Sequence, residues 1–347
     1  VDQRAAVERD AMARALDLAA RGPAHGPNPR VGCVLLAPDG RVLGEGWHRG
    51  AGTPHAEVAA LADARARGAD DAAVRGATAV VTLEPCDHTG RTGPCSVALL
   101  AAGVARVVVA VADPNPAAAG GARRLRAAGV EVVAGVGEVE GRALLRPWLA
   151  AVRRGRPFVT LKLASTLDGR VAAADGSSRW ITSPEARAHA HARRAEVDAL
   201  VVGTGTALAD DPALTARTPD GTPAPHQPLR VVVGTRDLPA GGRLAGPGGE
   251  VLHLRTHDPR AVLAALHERE ARHVLVEGGP TLAAAFLRAG VVDEVHAYLA
   301  PVLLGAGRPA VSDLGIATIG DALRLRPRAV RPLGPDVLVE ADLEEES

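Results

Sequence analysis

Apolar positions along the chain fall into helical and alternating runs, and their order predicts most of the architecture. Residues 4–21 space alanine and leucine among Asp, Arg and Glu, which predicts a helix ended by Gly22 and Pro23. Two short apolar runs, 31–36 and 42–45, flank Pro38-Asp39-Gly40 and read as strands joined by a tight turn. An Ala-rich helix follows over 55–67, a buried strand over 78–83, a helix over 94–102 and a strand over 106–111. Asp113-Pro114-Asn115-Pro116 cannot extend that strand. A helix over 117–128 and a short strand over 130–134 complete a β-α-β-α alternation, which argues for a three-layer α/β domain.

A helix over 144–154 and Gly155-Arg156-Pro157 then lead into a second series. We place the domain boundary near residue 150, giving domains 1–150 and 151–347. The second predicts strands near 158–163, 197–203, 229–234, 250–254, 273–277 and 293–299, with helices near 184–195, 259–270 and 280–289. Residues 206–228, rich in Pro, Asp and Thr, read as an ordered binding loop. The acidic end, 342–347, reads as a solvated tail. No internal repeat is visible, so the halves are expected to differ in fold.

Composition sharpens this picture. At 347 residues, two domains are the natural expectation. The chain is 47% hydrophobic but only 2% aromatic, so its cores must be built from Ala, Val and Leu. Its formal net charge is zero, whereas a protein that grips long nucleic acid is more often basic. Scarce aromatics also leave little to stack single-stranded bases. Both points favour a small-molecule substrate and argue against a nucleic-acid partner. Cys33, Cys86 and Cys95 are too few for a paired framework, which points to a reducing, cytoplasmic setting. No run of 18 uncharged apolar residues and no signal peptide are apparent, so a membrane partner is not expected.

The candidate chemistry lies in His55-Ala56-Glu57 and in the segment from Thr82 to Cys95. His55, Cys86 and Cys95 offer an imidazole and two thiols, three ligands for a tetrahedral zinc that keeps one position for water. Glu57, two residues from His55, is placed to move a proton between water and a leaving amine. That inventory suits a zinc hydrolase acting on an amino-bearing base. A structural zinc site is the bland alternative, but it would normally show a fourth Cys or His, and only His88 is near. We read His88 as a substrate contact. Cys33 sits in an apolar strand and reads as core.

These residues resemble the cytidine-deaminase-like superfamily, with one departure. Eight residues separate Cys86 from Cys95, where the common pattern has two. The longer insert, with His88, Gly90, Arg91 and Thr92, resembles the riboflavin-biosynthesis deaminase branch, as do Asn28-Pro29-Arg30-Val31-Gly32 and Asp113-Pro114-Asn115-Pro116. The second half resembles the reductase domain fused to that branch, similar in fold to dihydrofolate reductase. The matching segments are Lys162 to Gly169, Ser178 to Thr182, Leu208 to Arg217 and Val276 to Leu282. The implied fold is an N-terminal cytidine-deaminase-like three-layer domain plus a C-terminal dihydrofolate-reductase-like domain. The implied function is zinc-dependent deamination of 2,5-diamino-6-(5-phosphoribosylamino)pyrimidin-4(3H)-one, then NADPH reduction of the ribosyl side chain to ribityl. A homodimer is a further expectation of the resemblance.

The resemblance also carries residues. For the deaminase, Asn28 implies a hydrogen bond to the pyrimidine, although Asn28-Pro29 alone would read as a turn. His48, His88, Asp113 and Asn115 match substrate neighbours. Arg91 stands where lysine is usual, and its guanidinium suits a phosphate more bidentately. For the reductase, Lys162 and Asp210 are candidate catalytic residues, while Asp211 has a turn or cap reading of its own. Ser178, Arg194, Leu214, Arg217 and Glu277 match substrate contacts. Ala164, Trp180, Thr206, Asp210, Gly278, Gly279, Pro280 and Thr281 match NADPH contacts, and Thr235 with Arg236 after a strand suits a 2′-phosphate.

A deaminase with a degenerate second half, a nucleic-acid-editing deaminase and a non-enzymatic zinc module are the competing readings. The intact Lys162, Asp210 and Glu277-Gly278-Gly279 argue against the first.

Overall fold

The structure is a computed structural model that describes residues 3–89 and 93–344. It separates into two compact units, Val1–Gly155 and Arg156–Ser347. The first unit is built on β1 (Gly32–Leu36), β2 (Val42–Trp47), β3 (Thr78–Leu83), β4 (Arg106–Val111) and β5 (Glu131–Ala134), in the sheet order β2-β1-β3-β4-β5. β1 runs antiparallel to β2 and β3, while β3, β4 and β5 are parallel. Its helices are α1 (Gln3–Ala20), α2 (Ala56–Ala66), α3 (Asp71–Val74), α4 (Cys95–Ala101), α5 (Gly121–Ala127) and α6 (Glu138–Arg154).

Strand alternation sends Cys33, Leu35, Ala79 and Val81 to one face, against Ala60 and Leu61 of α2, Leu99 of α4 and Leu125 of α5. Val34, Leu36, Val80 and Val108 face the other way, against Met12 and Leu18 of α1 and Leu145 and Leu149 of α6. Three layers therefore close mostly through Ala, Val and Leu, with Trp148 of α6 as the one tryptophan in the buried cluster. Glycine makes this possible: a Cβ on Gly44 or Gly46 would lie 2.4 Å from the carbonyl oxygen of Ala60 or Ala56, so α2 rests directly on the β2 backbone.

The second unit holds β6 (Phe158–Thr166), β7 (Arg170–Ala172), β8 (Ala199–Gly203), β9 (Leu229–Val233), β10 (Val251–Leu254), β11 (His273–Val276), β12 (Glu294–Ala300), β13 (Arg308–Pro309), β14 (Leu325–Leu333) and β15 (Asp336–Leu343). The main sheet runs β10-β9-β8-β11-β6-β12-β15-β14, and β7 pairs separately with β13. The first six strands are parallel, and β15 and β14 are antiparallel additions. Its helices are α7 (Pro184–Arg194), α8 (Thr204–Asp210), α9 (Pro259–Glu268) and α10 (Pro280–Arg288).

The two faces of this sheet differ. Val159, Leu161, Val201, Val231, Val274 and Val295 pack against Val262 and Leu266 of α9 and Phe286 of α10. On the other face Leu200, Val202, Val232 and Leu275 form a smaller apolar patch. Next to it the pairs Thr160–Glu294 and Lys162–His296, with Glu340 beside His296, make a buried polar strip. Helix α7 lies here, with Ala186 and Ala190 on Tyr298 and Leu338.

Several expectations need correction. Helix α6 starts at Glu138, six residues before the expected 144, and runs to Arg154. Helix α5 starts at Gly121, because Asp113 and Asn115 hold 113–117 in turns: Asn115 N–H donates to Asp113 Oδ1 at 2.8 Å and Ala117 N–H to Asn115 Oδ1 at 3.1 Å. The segment 206–228 opens within α8 before becoming irregular. The expected acidic tail begins inside β15, where Asp342 pairs with Glu294; residues 345–347 lie outside those described.

Candidate functional site

In the first unit the site forms where β3 ends and two helices begin. His55 occupies the N-cap of α2 in extended conformation, with Glu57 in the first turn. Cys86 follows β3, and Cys95 opens α4 after Pro94. Neither α2 nor α4 receives a side-chain cap, so both present free N–H groups and a positive dipole end to the same point. His55 Nδ1 lies 3.5 Å from Cys86 Sγ and 3.3 Å from Cys95 Sγ, and Cys95 N–H points at Cys86 Sγ at 3.4 Å. One ligand atom from each residue falls within 4.8 Å of the others. Two thiols and one imidazole converging in a buried corner are the donor set that zinc prefers, and the three residues fit that ion.

The electrostatics agree. Hydrogen bonding with Cys95, then His55, pulls the Cys86 thiol down to about 4, while that bond and burial push the Cys95 thiol up. The pair thus holds one negative charge, which a cation would raise to two. Contact with Cys86 raises the His55 imidazole, and burial raises the Glu57 carboxyl.

Around this corner lie the other expected residues. Asn28 Nδ2 is 3.0 Å from His48 Nε2, and His48 Nδ1 is 3.2 Å from the Pro54 carbonyl. The carbonyl can only accept, so His48 carries its proton on Nδ1, and Nε2 accepts from the Asn28 amide. Burial lowers the His48 pKa and keeps the ring neutral. The His48 and His55 rings meet edge to face with centroids 5.4 Å apart. Asp113 is half-buried, and burial raises its carboxyl to about 6. His88 is exposed, and Arg91 lies outside the described residues.

Sequence reasoning missed two anchors here. Glu84 accepts N–H groups of Gly120 (3.2 Å), Ala122 (3.0 Å) and Asp113 (3.3 Å), and so ties the cysteine loop to the 113–122 segment. Asp87 accepts from Ser96 Oγ at 2.6 Å and pairs with Arg124. Both sit inside the motif, but only their three-dimensional partners reveal the role.

In the second unit, parallel strands β9, β8, β11 and β6 end along one edge, where α/β sheets hold ligands. Gly278 and Gly279 follow β11 and lead into α10, with Pro280 and Thr281 as its first residues. A Cβ on Gly278 would fall 2.5 Å from the Leu282 side chain, so only glycine fits there, while one on Gly279 would meet only Thr206 Oγ1 at 3.5 Å, which leaves the backbone at this helix start open. Thr206 stands beside Gly279. Thr235 and Arg236 are exposed after β9, with Arg236 over Gly205 at the start of α8. Arg255, which donates to the Thr235 carbonyl at 3.0 Å and pairs with Asp237, and His257, 3.4 Å from Thr235 Oγ1, surround this end and were not singled out from sequence. Bare backbone at a helix start and a basic cluster at the neighbouring strand end fit a dinucleotide with a 2′-phosphate.

Lys162, Arg194 and Glu277 meet on the polar face of the sheet. Arg194 grips Glu277 through two bonds of 2.8 Å, and its Nη1 donates to the Thr215 carbonyl at 3.0 Å. Lys162 Nζ lies 3.8 Å from Glu277 Oε2 and 5.7 Å from the Tyr298 ring centroid. Burial would raise the Glu277 carboxyl, but Arg194 and Lys162 outweigh it and hold it at about 2. Burial lowers the Lys162 ammonium.

The remaining expected residues are more dispersed. Asp210 ends α8, exposed, and its carbonyl accepts from Arg179 at 3.0 Å. Asp211 takes a left-handed conformation (φ 41°) and accepts Arg243 N–H at 2.7 Å, a turn partner. Leu214 buries its side chain among Leu200, Val202 and Val232, leaving only its backbone for a ligand. Arg217 is exposed, Ser178 half-buried, and Ala164 packs against Tyr298 and Leu338. Trp180 is exposed, with the Arg187 guanidinium 4.5 Å from its ring centroid.

Comparison with known proteins agrees with both halves. Residues 6–111 match the cytidine and deoxycytidylate deaminase zinc-binding region, and residues 157–339 match the RibD C-terminal domain. The riboflavin biosynthesis protein RibD of Mycobacterium tuberculosis is 52% identical over 314 residues, covering 90% of each chain. The structure of Acinetobacter baumannii RibD superposes with a TM-score of 0.89 at 37% identity, covering 98% of this chain and 100% of that one. A Thermotoga maritima protein described as a diaminohydroxyphosphoribosylaminopyrimidine deaminase/5-amino-6-(5-phosphoribosylamino)uracil reductase gives 0.88 at 34% identity, covering 99% and 100%. No helix among the described residues is long and apolar enough to cross a membrane. The chain therefore belongs to the RibD family of bifunctional riboflavin-biosynthesis enzymes, which join a zinc-dependent deaminase domain to an NADPH-dependent reductase domain.

Proposed function

We propose that the first unit deaminates the diaminopyrimidine carrying a 5-phosphoribosylamino group, and that the second reduces the resulting uracil's ribosyl group to ribityl. The convergence of His55, Cys86 and Cys95 within 4.8 Å beside buried Glu57 carries the deaminase half. These three residues hold the zinc. Zinc, when bound, supplies a Lewis acid that makes water nucleophilic near neutral pH. Glu57 takes the proton from that water and delivers it to the leaving amine, so that water and the amino-pyrimidine become ammonia and the ring carbonyl. Asn28, oriented by His48, bonds the pyrimidine. Asp113, Asn115 and His88 line the ribosyl-phosphate side, and Arg91 is the expected cation for the phosphate.

In the reductase half, Gly278, Gly279, Pro280, Thr281 and Thr206 hold NADPH by its pyrophosphate, Thr235 and Arg236 by its 2′-phosphate, and Ala164, Trp180 and Asp210 about the nicotinamide. NADPH, when bound, supplies the hydride. Lys162 provides the cationic donor at the opened sugar carbon, and Asp210 handles the accompanying proton. Glu277 contacts the ribosyl chain while Arg194 holds it in place. Ser178, Leu214 and Arg217 line the substrate.

A second copy of this chain is the partner this reading carries. The outermost strand β14 exposes Leu325 and Val330 on a free sheet edge, a surface that a matching copy would cover. Three free cysteines support work in a reducing cytoplasm. Zinc content, ammonia release and NADPH oxidation, measured on the intact chain with the diaminopyrimidine, test the reading together. Ammonia without NADPH oxidation would remove the second activity, and a monomer by light scattering would remove the dimer.

A further inference from the structure

The first part of the loop after β12 is fastened by one carboxylate, beside the Leu167 N–H bond to the Val302 carbonyl and the β7–β13 pairing further on. Asp168 lies just beyond the end of β6, on the same C-terminal edge as Gly278 and Gly279. The Thr166 hydroxyl donates to Asp168 Oδ1 at 2.5 Å, Gly305 N–H donates to Oδ2 at 2.6 Å, and Leu304 N–H lies 3.2 Å from both oxygens. The Thr166 hydroxyl and these backbone donors hold the carboxyl at about 2. Arg170 grips the same loop through the carbonyls of Gly305 (3.3 Å) and Gly307 (3.5 Å).

From there the chain runs toward the cofactor side. Gly307 packs so tightly that a Cβ would lie 2.0 Å from the Ala172 carbonyl oxygen. Ala310 N–H donates to Gly169 O at 2.9 Å, and Ser312 N–H donates to Pro280 O at 3.2 Å. Val311 and Leu314 pack on the apolar core that includes Phe286 of α10. The first turn of α10 is thus tied to Asp168 through the eight residues from Gly305 to Ser312. Strands β6 and β12 are already complete at Thr166 and Ala300, so the sheet itself does not need this tie.

We propose that Asp168 is a positioning residue for the cofactor half of the reductase: by clamping the 302–312 loop, it holds the start of α10 in the geometry that receives pyrophosphate. The inference rests on the reading that NADPH lies at Gly278-Gly279. Bonds from an ionised carboxylate to backbone N–H groups are among the stronger ones available to a loop. Without them the loop keeps its β7–β13 pairing and the Ala310 bond but loses its hold at Leu304 and Gly305, and binding must offset the ordering of that stretch.

The test is fluorescence titration of NADPH onto the zinc-loaded full chain without pyrimidine, beside steady-state rates of both activities. Asp168→Ala is expected to weaken NADPH binding about tenfold, one step on the affinity scale. Its kcat at saturating NADPH should stay within about twofold of the parent, with ammonia release unchanged. Arg170→Met, which loosens the loop while leaving the carboxylate, should move the same way by less, and it carries the test if Asp168→Ala does not fold. Unchanged NADPH affinity in the folded variants, or a fall in kcat alone, overturns the proposal. Gly279→Leu separates the two levels: if it also leaves affinity unchanged, the cofactor-site reading fails, whereas if only the leucine variant binds weakly, the clamp alone fails.

Discussion

The two units solve the problem of holding reactive groups in opposite ways. The first gathers them at one point: two uncapped helix starts bring three ligand atoms within 4.8 Å, and both sheet faces around them are apolar. The second spreads them along the edge of an eight-stranded sheet and buries a strip of charge on one of its faces. A metal needs convergence of a few soft donors, while a dinucleotide and a sugar need length. The difference predicts that damage to the first unit is local and chemical, while damage to the second is also structural.

The sharpest break of this comparison is Glu57→Gln. Glu57 is buried beside the metal corner but is not one of the three ligands. The amide keeps shape and zinc but cannot take up a proton. Ammonia release should fall about 10²–10⁴-fold, the usual weight of a positioned acid–base group, while NADPH oxidation with the deaminated pyrimidine stays at the parent rate. Loss of bound zinc in this variant would move Glu57 into the ligand set.

In the second unit the comparable change should unfold as well as inactivate. Arg194→Gln removes the fork that pairs with Glu277 and leaves a carboxylate with 6% side-chain exposure whose ion pair among the described residues is then Lys162 at 3.8 Å, with His191 near. Breaking one side of a buried pair costs about 3–5 kcal/mol. Calorimetry should show the reductase transition moving down and the deaminase transition unmoved. A Glu277→Gln/Arg194→Met double variant should recover much of that loss without recovering activity. A cold, stable Arg194→Gln unit would mean that Arg194 serves the substrate and not Glu277.

Acid separates the units next. His189 and His273, both in the second unit, are held to about 4, chiefly by burial, against 6.5 in the unfolded chain. A lowered histidine pKa means that the unfolded state binds the proton first. Their stabilisation is therefore complete above pH 6.5 and is lost as pH falls toward 4. Glu277, at about 2 against 4.5, adds a second loss between those values. In the first unit the signs partly cancel: His48 and the Cys86 thiol (about 4) are lowered and lose stability as pH falls, but His55, Glu57 and Asp113 (about 6) are raised, and raised groups favour folding in acid. Between pH 7 and 5 the reductase transition should drop by more degrees than the deaminase transition. Equal slopes would mean that the buried histidines are compensated elsewhere.

The same contrast explains what was legible in the sequence. His55, Glu57, Cys86 and Cys95 sit in short motifs at strand-to-helix junctions, and the strand and helix periods around them are clean, so their convergence follows from local pattern. The polar strip of the second unit does not announce itself: Thr160 and Lys162 look like the solvent side of an ordinary strand, and only the register with Glu294 and His296 shows that α7 covers them. Strand β14 was hidden for another reason. Its Leu-Arg-Pro-Arg-Ala-Val-Arg-Pro-Leu has two prolines, which a central strand could not hold, but it is an edge strand with a bulge between Pro327 and Ala329. Its arginines answer buried partners on other strands, Arg328 with Glu294 of β12 at 2.7 Å and Arg331 with Glu340 across the β14–β15 hairpin at 2.6 Å.

The smallest prediction concerns what a ligand position costs. Helix α7 starts at Ser183, whose hydroxyl accepts Ala186 N–H at 3.2 Å, and α9 starts at Asp258 with a similar cap. Helix α2 starts at His55, in equally extended backbone, with no side-chain cap. The imidazole there serves the metal and leaves the helix end uncapped. Ser183→Ala should therefore cost the second unit about 1 kcal/mol, the usual worth of a cap. His55→Ser should act in the other direction in the presence of a chelator, raising the midpoint of the first unit by a similar amount, while zinc binding and ammonia release are lost. If the serine variant is instead less stable than the chelated parent, the contacts of the imidazole with Cys86 and Cys95 outweigh the missing cap, and the corner is held together even without its ion.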